Sequence, residues 1–229
     1  MKNRNLFVDS EIYDLASLWI LRAISCAGGQ REFLKSKYGN LLEFLEINSD
    51  EPTQQDIKTL KDKLAVLEKS KISCELKELE YNLNLLQANL GLNNTEKAIL
   101  RFVAIMFNYE IVSDACELTE NLNDRQAAKA ISQILNLSFI DVQKAFKKDG
   151  IFAKTSLIKL DIYGRNLRSK IDVINNDFIG ALFVKCESID EIFASTIKPC
   201  SNTNLTLKNY AHIKDDTQIL VSFFKKYHS

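Results

Sequence analysis

The sequence predicts a mainly α-helical protein, and three observations carry that prediction. Glycine and proline are scarce, 7 and 2 among 229 residues, which disfavours a turn-rich all-β fold and suits long helices. Apolar residues recur at helical spacing, most regularly as Ile57, Leu60, Leu64, Leu67 and as Leu76, Leu79, Leu83, Leu86, Leu90, each run stepping three and four residues in turn. Side chains that cap helix N-termini stand just ahead of several such runs.

Three regions are expected: residues 1–91 as a helical domain with a helical hairpin, 92–172 as a second domain, and 173–229 as a helical tail. In the first, Leu15, Leu18, Trp19, Arg22 and Ala23 follow one helical face until Gly28-Gly29 breaks the chain. The two leucine-rich stripes are out of register and separated by "EKSKIS", which favours two antiparallel helices with a turn near Ser70–Ser73. Gly91 follows Leu90 where a left-handed C-terminal residue belongs. Asn93 and Glu96 are spaced as an N-cap and its N3 partner, so the domain boundary is placed near 92.

Beyond it, helices are expected at about 94–107, 109–119, 124–135 and 138–148. Asn123 with Gln126 would cap the third, and Ser138 with Asp141 the fourth. "IFAKTSLIKLDIYG" (151–164) alternates and carries β-branched residues, which predicts a two-stranded hairpin. Helices followed by a small hairpin give a winged-helix-like middle. Further helical patches are "RSKIDVI", "NDFIGALFV", "SIDEIFAS" and "DDTQILVSFFKKYH", with a short strand at Leu205–Leu207.

Within the middle region, "ISQILNLSFIDVQKAF" (131–146) has helix-turn-helix spacing, with Asn136 at the bend, a residue that tolerates positive φ. The outward residues of its second helix would be Ile140, Gln143, Lys144 and Lys147. Gln143 and Lys144 suit adenine and guanine edges, whereas Ile140 has no donor and Asp141 would repel phosphates unless engaged as a cap. Lys+Arg and Asp+Glu balance at 30 each over the whole chain, so total charge points to neither nucleic acid nor membrane. Residues 144–170 nevertheless hold eight basic side chains against Asp149 and Asp161. A basic wing can grip phosphates without reading sequence, and the candidate contacts for a partner or a nucleic acid are Ile140, Gln143, Lys144, Lys147, Lys148, Lys154, Lys159 and Arg165.

Signatures of chemistry are missing. No glycine precedes a lysine, so no Walker A loop is present, and neither GxGxxG nor GxSxG occurs. His212 and His228 are the only histidines, and neither has a second His or a Cys three or four residues away. The five cysteines, Cys26, Cys74, Cys116, Cys186 and Cys200, are odd in number and scattered, as expected of reduced thiols in a cytoplasmic protein. The longest apolar stretches are each interrupted by arginine and fall short of the ~20 residues that span a bilayer. A non-enzymatic chain without cofactor, metal or membrane association is expected.

Four segments carry a family resemblance: "LWILRAISCAGGQREFL" (18–34), "LGLNNTEKAILRFVAI" (90–105), 131–161, and "LTLKNYAHIKDDTQILVSFFKKY" (205–227). Their order resembles the region that precedes the ATPase module in certain bacterial AAA-type ATPases, with Tyr210 and His212 at the aromatic and histidine positions of the lead-in. The sequence ends at Ser229, about where such a module would begin. The resemblance therefore implies the front part of a longer ATPase or a stand-alone relative. It implies a recognition or regulatory role towards protein partners, possible ring neighbours among them, and carries over no nucleotide-binding residue. The alternative expectation is a winged-helix nucleic-acid-binding protein that uses the basic wing.

Overall fold

A computed structural model describes residues 7–35, 38–47 and 51–197; the strand expected at 205–207 and the helix expected at 215–228 lie outside them. After a 3-10 turn (Ser10–Ile12), the first part comprises α1 (Tyr13–Ser25), the short α2 (Gln30–Phe33) and α3 (Gly39–Phe44), then α4 (Gln54–Leu67) and α5 (Lys77–Leu90). The next helices are α6 (Asn94–Asn108), α7 (Glu110–Glu117), α8 (Asp124–Leu135), α9 (Phe139–Ala145) and α10 (Ile151–Thr155). Strand β1 (Ile158–Leu160), α11 (Leu167–Lys170), β2 (Ile171–Val173), α12 (Asn176–Leu182) and α13 (Ile189–Ile192) complete the described chain.

Local chemistry sets the helix ends. Reciprocal capping boxes open α4 (Thr53 with Asp56), α6 (Asn93 with Glu96) and α8 (Asn123 with Gln126), each closing two otherwise unmet backbone N–H groups. Gly91 (φ 73°) ends α5, and Asn136 (φ 53°) ends α8. There the Leu137 N–H returns to the Ser132 carbonyl at 2.9 Å and closes the last turn.

The leucine stripes of α4 and α5 are spent on the body of the protein. Ile57, Leu60 and Leu64 are buried as α4 packs on α1, and Leu79, Leu83 and Leu86 as α5 packs on α6, α12 and α13. The core runs unbroken across position 92. Trp19 of α1 meets Phe102 of α6 edge-to-face at 5.3 Å, and α1 also packs on α7 and α8.

Polar ties reinforce that core. The side chain of Arg22, 10% exposed, donates to the Ile134 carbonyl at the end of α8 (3.0 Å) and to Glu68 just past α4 (3.2 Å). It thus joins three helices and satisfies a C-terminal carbonyl. Asn82, fully buried on α5, donates to the carbonyls of Ala181, Leu182 and Val184 and accepts from the Cys186 N–H, which caps the end of α12. Thr119 accepts from the Leu167 N–H and fastens α11 to the end of α7.

Three expectations are corrected. Residues 151–164 do not form a hairpin: Ile151–Thr155 is helical, and β1 pairs antiparallel with Ile171–Val173, Lys159 opposite Asp172. Over five residues periodicity alone does not separate a strand from a single helical turn. Here full burial of Phe152 and the left-handed Ser156 (φ 56°) favour one helical turn followed by a bend. "RSKIDVI" is correspondingly part α11 and part strand, because Asn166 caps a single turn and Ile171 then extends. Ser138 does not cap α9 with its side chain. Its carbonyl accepts the Asp141 and Val142 N–H groups instead, while Asp141 turns to Lys144 at 3.2 Å.

Candidate functional site

All eight sequence-predicted contact residues are exposed. They do not form a single surface. Gln143, Lys148 and Lys159 line one cleft of about 560 Å³ between the start of α8, α9, α10 and β1. Lys144 faces a different cleft with Asn93, Asn94, Thr95 and Asp141. Ile140, Lys147, Lys154 and Arg165 line neither.

The larger cleft is built by three local decisions. The left-handed Asn136 swings α9 back across α8. The turn after Ala145 brings Lys148 to the rim, and α10 lays Phe152 under it. Strand alternation then buries Ile158 and exposes Lys159. Phe146 and Phe152, 5.8 Å apart, with Ile158 and Leu160 supply the apolar part. Arg125, from the first turn of α8, adds a cation that the sequence reading missed. It lies outside the basic run, and only the fold brings it alongside.

The basic run itself divides. Lys170 is buried, its side chain 3% exposed, and paired with Asp124 at 2.8 Å. Arg168 lies over the Phe107 ring at 3.8 Å, and Lys144 pairs with Asp141. Lys147, Lys148, Lys154, Lys159 and Arg165 form no ion pair among the described residues. Of the nearby acids, Asp124 is held by Lys170, and the Asp161 carboxylate accepts the Tyr163 N–H at 2.9 Å. Asp172 faces Lys159 across the ladder without an ion pair.

Among the described residues no three His, Cys, Asp or Glu side chains come together as metal ligands. Burial pushes the thiols of Cys26, Cys74, Cys116 and Cys186 up, away from the reactive thiolate, and at Cys26 the Glu68 carboxylate adds to the effect. No described helix is long and apolar enough to cross a membrane.

Comparison with protein-family models, curated proteins and solved structures finds no match to this chain. The AAA-type resemblance therefore rests on the four quoted segments alone.

Proposed function

We propose that this chain is a non-catalytic recognition module that holds nucleic acid by its phosphates. The face is the one built from α8, α9, α10 and the β1–β2 ribbon, which we read as a winged-helix-like arrangement. The observation that carries the proposal is that Lys148 and Lys159 line one cleft with Arg125, while Lys147, Lys154 and Arg165 lie exposed nearby in the chain, and that these four lysines and Arg165 form no ion pair among the described residues. Exposed charges of one sign, close in the chain and unused by folding, are the electrostatic footprint of a polyanion site. The test is a salt titration of oligonucleotide binding. Affinity should fall linearly on logarithmic axes as salt rises, and each cation removed should lower the slope by about 0.7–0.9. Reversing Lys148 and Lys159 together should weaken binding by at least about tenfold. Absence of binding at low salt would overturn the proposal.

A second reading, recognition of protein partners ahead of an AAA-type motor, is supported by the quoted segments. A separate, more apolar cleft of about 330 Å³, lined by Tyr13, Leu21, Phe44, Leu45 and Val66, also favours it. Light scattering of the full-length gene product with ATP would test it: a ring predicts an integral multiple of the protomer mass, and a monomer counts against it.

A further inference from the structure

We infer that the strand held by this face is single, and that Tyr163 stacks on one of its bases. The inference rests on the nucleic-acid reading above and adds the kind of strand and the residue that selects it.

Among the described large apolar and aromatic side chains, Tyr163 and Ile162 are the most exposed, at 84% and 72%. Their loop is held at both ends. Asp161 donates its N–H to the Lys170 carbonyl (2.8 Å) and accepts the Tyr163 N–H through its carboxylate. Arg165 accepts the Leu122 N–H at 2.9 Å, and the Arg165 and Asn166 N–H groups both reach the Ser169 hydroxyl. At Gly164 the backbone passes so near Ser169 and Lys170 that an added Cβ would lie 2.4 Å from the Ser169 carbonyl oxygen. A ring on a loop tied in this way is presented to solvent at small further entropic cost on binding.

Charge complementarity names the occupant. Lys159 and Arg165 flank Tyr163 in the chain, and Lys159 also lines the cleft with Arg125, Gln143, Lys148 and Asp124, the last of these paired with Lys170. Tyr163 follows the cleft-lining Leu160 by three residues, and cations along a concave path with an exposed aromatic ring that short a span of chain away match a single strand, whose phosphates follow the charges while its bases stack. The geometry disfavours duplex reading. A recognition helix offers hydrogen-bonding side chains from its first turns to the major groove. α9 has seven residues, and its first turn offers Ile140, 62% exposed, and Asp141, which is paired with Lys144. The cleft volume of about 560 Å³ suits a nucleotide-sized group.

The test is fluorescence anisotropy with the full chain at about 50 mM salt, using a labelled thymidine oligonucleotide and a duplex of equal length. The wild type should bind the single strand at least about tenfold more tightly. Tyr163→Ala should weaken single-strand binding by between about fivefold and a hundredfold and leave duplex binding unchanged, while Tyr163→Phe should bind as wild type does. Equal or tighter duplex binding overturns the inference, as does an unchanged single-strand affinity in Tyr163→Ala; both leave the phosphate-binding reading standing. Failure to bind either nucleic acid overturns both. Tyr163 is 84% exposed, so thermal melts of both variants should overlay that of the wild type.

Discussion

Two sets of cations coexist in this chain, and the fold treats them oppositely. Arg22, Arg101 and Lys170 are drawn inward, each against a partner: Glu68 and the Ile134 carbonyl, Glu80, and Asp124 respectively. Lys147, Lys148, Lys154, Lys159 and Arg165 are left in water. The first set joins elements far apart in sequence, so its loss is a loss of fold. The second set forms no ion pair among the described residues, so mutating it should cost binding rather than fold. Lys170 and Lys159 make the point around one two-stranded ribbon: Lys159 lies in β1 and Lys170 immediately precedes β2, the first exposed and the second buried against Asp124.

The largest expected effect is on the locked side. Asp124→Ala would strand the buried Lys170 ammonium and should cost about 3 kcal/mol in a denaturant melt. Lys170→Met keeps the aliphatic volume and removes the charge, so it should cost less, under about 1.5 kcal/mol. The double variant should be more stable than Asp124→Ala alone. If Asp124→Ala is as stable as wild type, the pair is not a structural tie and the contrast between the two sets collapses.

Arg22→Leu comes next. It leaves the Ile134 carbonyl and Glu68 without their donor, and should cost about 2 kcal/mol. Because Arg22 joins α1 and α4 to α8, and Trp19 joins α1 to α6, the loss should appear as one cooperative transition. Two separate transitions, with only one of them shifted, would instead show residues 1–91 and 92–172 unfolding independently.

On the acidic side the same contrast yields a pH effect. Asp114 on α7 is half-buried and has Glu110 and Glu117 one turn away on either side; burial first, then those two charges, push its pKa up to about 6. Tyr38 donates its hydroxyl to Glu117 at 3.1 Å, so that carboxylate stays close by. A folded-state pKa above the usual carboxylate value means that the fold favours the proton. Stability from this group is therefore present at low pH and lost as pH rises through about 6. Asp114→Asn should raise stability at pH near 8 by about 1 kcal/mol, after allowing for partial exposure to water. It should change little near pH 4, where the native side chain is already protonated. A gain of the same size at both pH values would point away from charge.

The two cation sets were not equally legible in the sequence. Helices with both a periodic apolar face and a capping pair, α6 and α8, could be placed to within a residue or so, because propensity, pattern and cap agree there. Left-handed Asn136 and Gly91 were legible for the same reason. The ribbon was not. Its strands are three residues each and are separated by α11, so pairing is decided by tertiary closure: the Thr119–Leu167 bond, the approach at Gly164 and the buried Lys170. The basic run could be read as charge, but one-dimensional spacing could not tell that Lys170 is consumed by folding while Arg125, far upstream, joins the cleft. Nor could it show that Ile162 and Tyr163 are held outward, since an apolar pair at a strand end reads equally well as core.

The smallest expected change in stability is also the sharpest check on the comparison. A triple reversal, Lys147→Glu, Lys148→Glu and Lys154→Glu, replaces three exposed and unpaired cations. Surface changes away from caps, cavities and buried pairs usually stay within about 0.5 kcal/mol each, and among the described residues these three side chains have no ion pair to lose. The new carboxylates do gain a neighbour in Asp149, so a small loss at low salt that disappears as salt rises is the expected pattern. A melt shifted as far as that of Asp124→Ala would mean that these lysines hold the fold together after all, and the case for reading them as a binding face would fail. A melt that overlays the wild type, together with lost oligonucleotide binding, is the combination that a set of charges kept for a partner requires.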